Sequence, residues 1–190
     1  MNFRDYIDSY LEQTEEIIRL ISREDIEHAA ELLMNIKMRG GRLFILGVGG
    51  SAANASHAVN DFRKIAGIES YAPTDNVAEL TARTNDEGWE TTFEEWLKVS
   101  KLTSNDAVMI FSVGGGSQNT SGNIVNALKL AKSTGASILG IVSRNGGFTR
   151  ETANVCIMIP VVDETRITPH AEGWQGVVWH LLVNAIKGGN

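Results

Sequence analysis

Four short runs of apolar residues constrain the fold of this chain more than any other feature. Each run is nearly continuous rather than alternating, which is typical of strands in a parallel sheet that is covered on both faces. A weaker strand is predicted around residues 68–71, which makes five strands in all. The four runs are RLFILG from Arg42, AVMIFSV from Ala107, SILGIVS from Ser137 and VCIMIP from Val155.

Helical patterns separate these runs, over residues 51–66, 91–101, 120–134 and 169–187. Strands that alternate with helices predict an α/β fold, namely a doubly wound, mostly parallel five-stranded sheet with helices on both faces. Ligands in such folds bind beyond the carboxyl ends of the strands. The loops that follow the strands are therefore where a site is expected.

Two further helices are predicted before the first strand. Apolar residues recur at helical spacing over residues 3–21, and a second helical pattern over residues 23–38 ends at Gly40 and Gly41. The 190 residues are expected to form one domain, with residues 1–40 as an N-terminal helical segment. We expect the apolar stripe of this segment to contact another subunit in a homo-oligomer.

Composition and charge argue against several classes of function. The formal net charge is −6, and without a long basic cluster no nucleic-acid binding is expected. The sequence contains no run of about 18 apolar residues, so no membrane span is expected. The N-terminal stretch lacks the apolar core of a signal peptide. The single cysteine, Cys156, is expected to be a buried strand residue, which fits a reducing cytoplasm.

Glycine–serine loops follow the first and third predicted strands. They read GVGGSAAN from Gly47 and SVGGGSQNTSGN from Ser112. Glycines let the backbone approach a ligand closely, while serine hydroxyls and the amides of the following helix can donate to an anion. Two such loops on neighbouring strands would converge on one phosphate group. The alternative for each loop is an ordinary strand-to-helix turn.

The first loop also fits a loose form of the dinucleotide-binding fingerprint. Gly47, Gly49 and Ala52 occupy its positions, and Glu69 lies near the distance expected for a ribose contact. This motif is weak alone, and the second serine-rich loop has no role in such a site. A small dinucleotide-binding protein is therefore a minor alternative.

Two pairs of imidazole and carboxyl groups follow helical spacing. His57 and Asp61 are four residues apart, about 40° around a helix, so both can face one point. Glu172 and His180 are eight residues apart on the last predicted helix, about 80° around it. The two pairs could form a four-coordinate Zn²⁺ site or two general acid–base sets. Alternatively, His57 and Asp61 form a surface hydrogen bond and Glu172 is solvated.

Three further charged residues lie near predicted loops. Asp86 is placed in a loop, where it either caps the following helix or reaches a sugar hydroxyl. Arg83 and Arg144 lie close to strand-end loops, where each either helps to bind an anion or is a surface residue.

These residues together resemble the sugar isomerase (SIS) domain family, and within it the sedoheptulose 7-phosphate isomerases, or phosphoheptose isomerases. The segment from Gly47 to Phe62 is the most specific, because the family loop reads Gly-Asn-Gly-Gly-Ser and is followed by His-x-x-x-Glu. The resemblance covers nearly the whole chain. It is carried by the N-terminal helices and by GVGGSAANASHAVNDF, LTARTNDEGWETTF, DAVMIFSVGGGSQN, GIVSRNGG and HLLVNAIK.

The resemblance implies an enzyme that interconverts phosphorylated ketose and aldose sugars through an enediolate, in a homotetramer with pockets at subunit interfaces. It implies a divalent metal, zinc, and proton transfer by Asp61 and His180, with Glu172 as a rival base. The implied metal ligands are His57, Asp61, Glu172 and His180. The implied substrate-binding residues are Gly49, Gly50, Ser51, Asn85, Asp86, Ser112, Gly114, Ser117 and Asn119.

The chain also departs from the family pattern. Val48 replaces an asparagine of the first loop, and Val113 and Gly114 stand where the family usually has Thr-Ser, although Gln118 could supply polar groups nearby. Asp61 is one methylene shorter than the family glutamate, which moves its carboxylate by roughly 1.5 Å. A displacement near 1 Å can lower a catalytic rate about 10²-fold.

These departures leave a second function open, a non-catalytic SIS protein that binds a phosphosugar as a sensor or serves as a protein-binding scaffold. Retention of His57 and His180 favours the enzyme, because a scaffold has little use for two histidines that face one point. Bound metal together with turnover would indicate the enzyme. Tight partner binding without turnover would indicate the scaffold.

Overall fold

The computed structural model of the protein describes residues 2–117 and 119–188, so Gln118 lies outside the described residues. Five parallel strands form one sheet in the order β2-β1-β3-β4-β5. This arrangement confirms the predicted doubly wound α/β fold. The strands are β1 (Leu43–Gly47), β2 (Ser70–Tyr71), β3 (Ala107–Ser112), β4 (Ser137–Val142) and β5 (Val155–Met158).

Helices cover both faces of the sheet. A π-helical turn, Phe62–Ala66, continues α3, and a 3-10 turn, Pro73–Asp75, precedes α4. No helix within residues 2–117 and 119–188 combines the length and the apolar character needed to cross a bilayer. The α-helices are α1 (Phe3–Leu20), α2 (Arg23–Met38), α3 (Gly50–Asp61), α4 (Val77–Glu87), α5 (Thr92–Val99), α6 (Gly122–Thr134), α7 (Gly147–Thr152) and α8 (Ile167–Gly188).

Two apolar layers sandwich the sheet, because successive residues of a strand point to opposite faces. Ile45 and Met109 lie in the layer that α2, α3 and α8 cover. Leu46 and Ile110 lie in the layer that α5 and α6 cover. Every residue of β1 and β3 is buried, which explains why these strands read as continuous apolar runs.

Helix α1 has a different pattern of burial. Of its apolar residues Ile17 is buried, whereas Phe3 and Ile7 are exposed. Polar contacts help to attach this helix to α8, since the side-chain oxygen of Gln13 lies 2.9 Å from His170 Nε2. The expectation that the apolar stripe contacts another subunit stays a prediction.

The sequence patterns did not predict α4 and α7. Helix α4 has no buried residue, so it lacks the apolar stripe that reveals a helix, and α7 begins at Gly147 in a segment whose glycines predict a turn. The expectation that Asp86 lies in a loop was wrong. It lies in the last turn of α4, where Asn85 Nδ2 donates to its carboxylate at 2.7 Å.

Cys156 is only partly buried, which corrects the expectation of a fully buried residue. It lies in β5, at the edge of the sheet, where the strand has one neighbour. The burial that remains raises the pKa of the Cys156 thiol to about 11. The thiol is therefore protonated, and a poor nucleophile, at neutral pH.

Candidate functional site

A cavity of about 530 Å³ opens beyond the carboxyl ends of β1, β3 and β4. Because β1 and β3 are neighbours in the sheet, both predicted glycine–serine loops meet in it. The loop after β4 and the start of α8 complete its walls. The lining residues are Val48, Ser51, Ser112, Val113, Gly114, Gly116, Ser117, Thr120, Ser121, Arg144, Asn145, Thr168 and Glu172.

The first loop turns directly from β1 into α3. Gly49 has a φ of +64°, a left-handed conformation that glycine adopts without a steric penalty. A side chain on Gly47 would collide with the backbone of Ser51, so the turn also needs glycine there. This tight turn places the buried Ser51 in the first turn of α3, where backbone amides favour an anion.

The second loop is held by the loop that follows β4. Thr149 donates to the Gly115 carbonyl twice, from its amide at 3.0 Å and from its hydroxyl at 2.7 Å. A Cβ on Gly115 would collide with the Gly146 carbonyl. Ser112 Oγ accepts from the Gly115 amide at 3.0 Å, so the Ser112 hydroxyl proton is free to donate to a ligand.

A cluster of imidazole and carboxyl groups forms where α3 packs on α8. Asp61 Oδ2 lies 4.0 Å from His57 Nε2 and 3.9 Å from His180 Nε2. One ligand atom from each of the three residues lies within 4.8 Å of the other two. The structure therefore brings together residues that are more than a hundred positions apart in the sequence.

Hydrogen bonds orient two members of this cluster. His180 Nδ1 donates to the Gly176 carbonyl at 2.6 Å, which leaves His180 Nε2 as the free nitrogen. Asn60 Nδ2 donates to Asp61 Oδ1 at 2.8 Å, which leaves Asp61 Oδ2 for the cluster. Such outer contacts commonly fix the tautomer and direction of metal-binding side chains.

The three residues fit a divalent metal. Two imidazole nitrogens and one carboxylate oxygen, with a fourth position open, form the donor set of many catalytic zinc sites. Bonds of about 2.0–2.1 Å to a tetrahedral ion separate the ligand atoms by roughly 3.4 Å. The two separations that involve Asp61, 3.9 and 4.0 Å, exceed this value by less than about 1 Å, and all three separations lie within 4.8 Å. Small side-chain rotations would close the difference.

Glu172 is not part of this three-residue cluster. Its carboxylate packs against Gly50 at the start of α3 and lines the cavity, two turns of α8 before His180. Asn54 Nδ2 donates to the backbone carbonyl of Glu172 at 2.9 Å and joins the two helices there. The assignment of Glu172 as a metal ligand or base stays a prediction.

Other predicted site residues lie outside the cavity walls. Asn85 and Asp86 are exposed on α4, and Asn119 is exposed in the second loop. Their assignment to the substrate stays a prediction. Arg83 pairs with two glutamates of its own helix, so it acts as an ordinary helix-surface residue.

The sequence profile of the SIS domain family matches residues 3–143, most of the chain. The chain belongs to the SIS domain family. The phosphoheptose isomerase of Geobacter sulfurreducens is 30% identical over 171 residues, which are 86% of this chain and 88% of that protein. The phosphoheptose isomerase of Aliarcobacter butzleri is 29% identical over 168 residues, 85% of this chain and 86% of that protein.

Solved structures share the fold of this SIS domain protein. A phosphoheptose isomerase from Francisella tularensis superposes with a TM-score of 0.84 at 21% identity, and the match covers 98% of both chains. The phosphoheptose isomerase from Neisseria gonorrhoeae gives a TM-score of 0.82 at 22% identity, over 97% of this chain and 98% of that one. These likenesses place the sheet and its helices in the SIS arrangement.

Trp179 is a residue of this SIS domain site that the sequence reasoning missed. Its side chain is fully buried, with its ring centroid 3.4 Å from that of His180 and 4.7 Å from that of His57. It supports both imidazoles from beneath. Its position next to His180 in the sequence could have indicated a role at the site. In a helix rich in apolar residues, however, a tryptophan is predicted to be an ordinary core residue.

Proposed function

We propose that the chain is a phosphoheptose isomerase that converts sedoheptulose 7-phosphate into an aldose heptose 7-phosphate. The observation that carries this proposal is the cluster of His57, Asp61 and His180, which lies on the same two helices that wall the glycine–serine cavity. Two sequence relatives at 29% and 30% identity have this enzyme name. An anion site and an acid–base cluster on one pair of helices suit a phosphorylated sugar.

The distance between the two parts of the site suits a seven-carbon substrate. Ser51 and His57 are six residues apart on α3, which is about 9 Å along the helix axis. An extended heptulose 7-phosphate spans roughly the same 9 Å from phosphorus to the carbonyl carbon, since each of the seven bonds between them advances about 1.3 Å along a zigzag chain. His57, Asp61 and His180 lie outside the cavity lining, so the proposal requires one substrate molecule to extend from the cavity along α3 to the cluster.

The cavity holds the phosphate through hydroxyls and backbone amides. Ser51, Ser112 and Ser117 donate from their hydroxyls, and backbone amides of both loops add further donors, apart from the Gly115 amide, which donates to Ser112 Oγ. The amides of the first turn of α3 add the positive end of a helix dipole. Asn85, Asp86 and Asn119 are assigned to the sugar on the basis of the family resemblance.

Zinc, one ion per site, is the proposed cofactor. His57, Asp61 and His180 would hold it, and the resemblance makes Glu172 the fourth ligand. Bound there, the metal would polarise the sugar carbonyl as a Lewis acid. The donor chemistry and the spacing of the three clustered residues support this assignment.

Asp61 and His180 are the proposed proton-transfer residues. One removes a proton from C1 of the ketose, and the other returns a proton to C2, while the C1 hydroxyl loses a proton and the C2 oxygen gains one. Protons and electrons balance within the sugar, so the reaction needs no redox cofactor. Glu172 is the rival base, because its carboxylate lines the cavity from α8, the helix that also carries His180.

The proposed enzyme is a cytoplasmic homo-oligomer, a tetramer, with its pockets at subunit interfaces. The exposed apolar residues of α1, such as Phe3, Ile7 and Leu11, support self-association, since water-exposed apolar stripes are typical of contact surfaces. The single, protonated thiol of Cys156 suits a reducing compartment.

The test is incubation of the purified protein with sedoheptulose 7-phosphate in deuterated water. We expect NMR to detect both the aldose product and deuterium at its C2. Removal of metal with a chelator is expected to abolish both, and added zinc to restore them. Absence of both product and exchange in the zinc-loaded protein would contradict the proposal.

A second candidate is a non-catalytic SIS protein that binds a phosphosugar as a sensor or acts as a scaffold. The valine and glycine at positions 113 and 114 favour it, because they remove two hydroxyls from the phosphate loop that the family pattern has. The same incubation separates the two candidates. Saturable binding of the sugar phosphate without deuterium exchange would favour the sensor.

A further inference from the structure

The walls of the cavity carry two charged side chains of opposite sign, Arg144 and Glu172. The Glu172 carboxylate packs against Gly50, at the helix N-terminus that would otherwise attract an anion. A phosphate dianion that enters the cavity therefore meets a like charge. Hydroxyls and backbone amides alone supply no formal positive charge to offset it.

The second loop supplies few hydroxyls close to the strand end. Val113 and Gly114 line the cavity with no side-chain donor, so the Ser112 hydroxyl is the side-chain donor that this loop offers close to the strand end. The remaining hydroxyls of this loop lie further along, from Ser117 onwards. Positions 113 and 114 themselves thus contribute no side-chain donor to the cavity.

Arg144 reaches this part of the cavity from the loop after β4. Its Cδ atom lies 3.8 Å from the position that a Cβ on Gly114 would occupy. The arginine stem therefore passes over the place where a side chain of residue 114 would project. The side chain is exposed and lines the cavity, so its guanidinium is accessible to a ligand there.

Arg144 shares the cavity with Glu172 and a second, adjacent pocket with Glu164, but neither carboxylate lies within ion-pair distance of it. Arg42, Arg83 and Arg166 each form ion pairs, whereas no such partner of Arg144 exists within residues 2–117 and 119–188. An unpaired guanidinium beside an anion cavity keeps all five of its N–H donors available.

The backbone at Arg144 is unusual for so large a residue. Its φ is +54°, in the left-handed region that glycine occupies far more readily than a residue with a bulky side chain. Gly146 and Gly147 follow with positive φ values and hold the loop against the second glycine–serine loop. Strained residues of this kind cluster at ligand-binding sites.

We propose that Arg144 binds the phosphate group of the substrate and replaces the hydroxyl donors that positions 113 and 114 lack. A guanidinium pairs with two phosphate oxygens at once through charge-assisted hydrogen bonds. This inference rests on the proposed function in one respect, that the ligand is a sugar phosphate. It adds a specificity-determining residue, because an unphosphorylated sugar would gain nothing from Arg144.

The test compares Arg144→Gln with Arg150→Gln, a matched control that removes the same charge from an exposed residue outside the cavity walls. For Arg144→Gln we expect the KM for sedoheptulose 7-phosphate to rise about 10- to 100-fold, with kcat changed less than about threefold. Arg144→Lys should give a smaller rise in KM, because lysine keeps the positive charge but cannot donate two parallel hydrogen bonds to one phosphate. Arg150→Gln should match the unaltered protein.

Two further measurements keep the result interpretable. Arg144→Asn removes the charge with a residue that tolerates the left-handed conformation, so the same KM rise in this variant excludes a folding defect. Unphosphorylated sedoheptulose should react equally with all variants. Equal KM values for the phosphorylated sugar in Arg144→Gln and Arg150→Gln, or equal effects on both sugars, would overturn the inference.

The outcome is separable from that of the proposed function. If the unaltered protein fails to isomerise sedoheptulose 7-phosphate, binding of inorganic phosphate is measured by calorimetry instead. Affinity about 10- to 100-fold weaker in Arg144→Gln than in Arg150→Gln then still supports the role of Arg144. Equal affinities would refute that role, whatever the reaction.

Discussion

The two ends of the candidate site are built from different parts of the chain. At the cavity end, loops after three strands contribute hydroxyls, backbone amides and tightly packed glycines. At the helical end, side chains of His57, Asp61 and His180 converge from α3 and α8. The first end depends on backbone conformation, whereas the second depends on the identity of three side chains.

This difference predicts that the two ends fail in different ways. A side chain added to a loop glycine displaces packed backbone, so it should disturb folding and binding together. A side chain removed from the half-exposed surface of α8 leaves the fold intact, so it should remove chemistry alone. The four variants below test this contrast.

The largest effect is expected at the helical end. His180→Ala should lower kcat by about 10²- to 10⁴-fold, because it removes a proposed acid–base group. Its urea midpoint should change little, since the side chain is about half exposed, at 48%. Steady-state kinetics and urea unfolding check this prediction.

The control for this variant is His28→Ala, which removes an exposed histidine from α2. It should leave both kcat and the urea midpoint unchanged. Full activity of His180→Ala, or an equal loss in the control, would show that the cluster is not the reacting centre.

The next largest effect is expected at the cavity end. Gly115→Ala should lower the free energy of unfolding by about 2–5 kcal/mol, the sum of about 1–2 kcal/mol for a left-handed alanine and about 1–3 kcal/mol for overpacking. The φ of Gly115 is +72°, and its added Cβ would meet the Gly146 carbonyl. Urea denaturation measures the change.

Gly40→Ala separates these two contributions. Gly40 has a similar φ of +67°, but nothing lies within 4 Å of an added Cβ. It should therefore lose only about 1–2 kcal/mol. Equal losses at positions 40 and 115 would mean that the contact between the two loops contributes no steric constraint.

A third variant weakens the scaffold that both ends share. Asp106 precedes β3 at the opposite end of the sheet and accepts from Arg42, whose Nη2 lies 2.8 Å from its carboxylate. Burial opposes ionisation of Asp106, but hydrogen bonds from Arg42 and Thr103 outweigh it and hold the pKa of this carboxyl below its ordinary value. Asp106→Asn should lower the free energy of unfolding by about 2 kcal/mol at neutral pH, with kcat and KM unchanged.

The sign of the pH dependence follows from the lowered pKa. The stability contributed by Asp106 is complete above its unfolded pKa of about 3.9 and is lost as the pH falls through the lower folded value. The free energy of unfolding of the unaltered protein should therefore fall more steeply below about pH 4 than that of Asp106→Asn. Asp8→Asn, which removes an exposed pair with Arg4, should cost less than about 0.5 kcal/mol. Identical pH profiles for Asp106→Asn and the unaltered protein would contradict this account.

The smallest effect is expected where the two ends meet. Glu172→Gln removes a negative charge from the cavity, so the KM for the phosphosugar should fall about two- to fivefold, equivalent to about 0.5–1 kcal/mol of repulsion. Elemental analysis of Glu172→Ala tests the predicted metal role, since alanine removes the oxygen ligand that glutamine would keep. Glu27→Gln, which removes an exposed carboxylate from α2, is the control. An unchanged KM in Glu172→Gln would exclude the repulsion, and an unchanged zinc content in Glu172→Ala would exclude the metal role.

Sequence reasoning was most successful where chain-local physics decides the outcome. The strands were predicted because burial on both faces leaves a continuous apolar run, as in β3. The glycine–serine loops were recognised because each lies between one strand and the next helix. Helix α4 was missed because it buries no residue, and Trp179 was missed because apolar composition does not reveal which side chain supports a histidine.

The sequence by itself determined the layered α/β fold, the two loops that follow neighbouring strands, and the angular placement of His57 with Asp61. These follow from hydrophobic periodicity, from glycine conformations and from helix geometry, all of which act over a few residues. Only the tertiary structure decided that His180 joins that pair, that Glu172 lies against Gly50, and that Arg144 reaches over Gly114. Spacing along one helix fixes an angle, but the distance to another element is set by how the two elements pack.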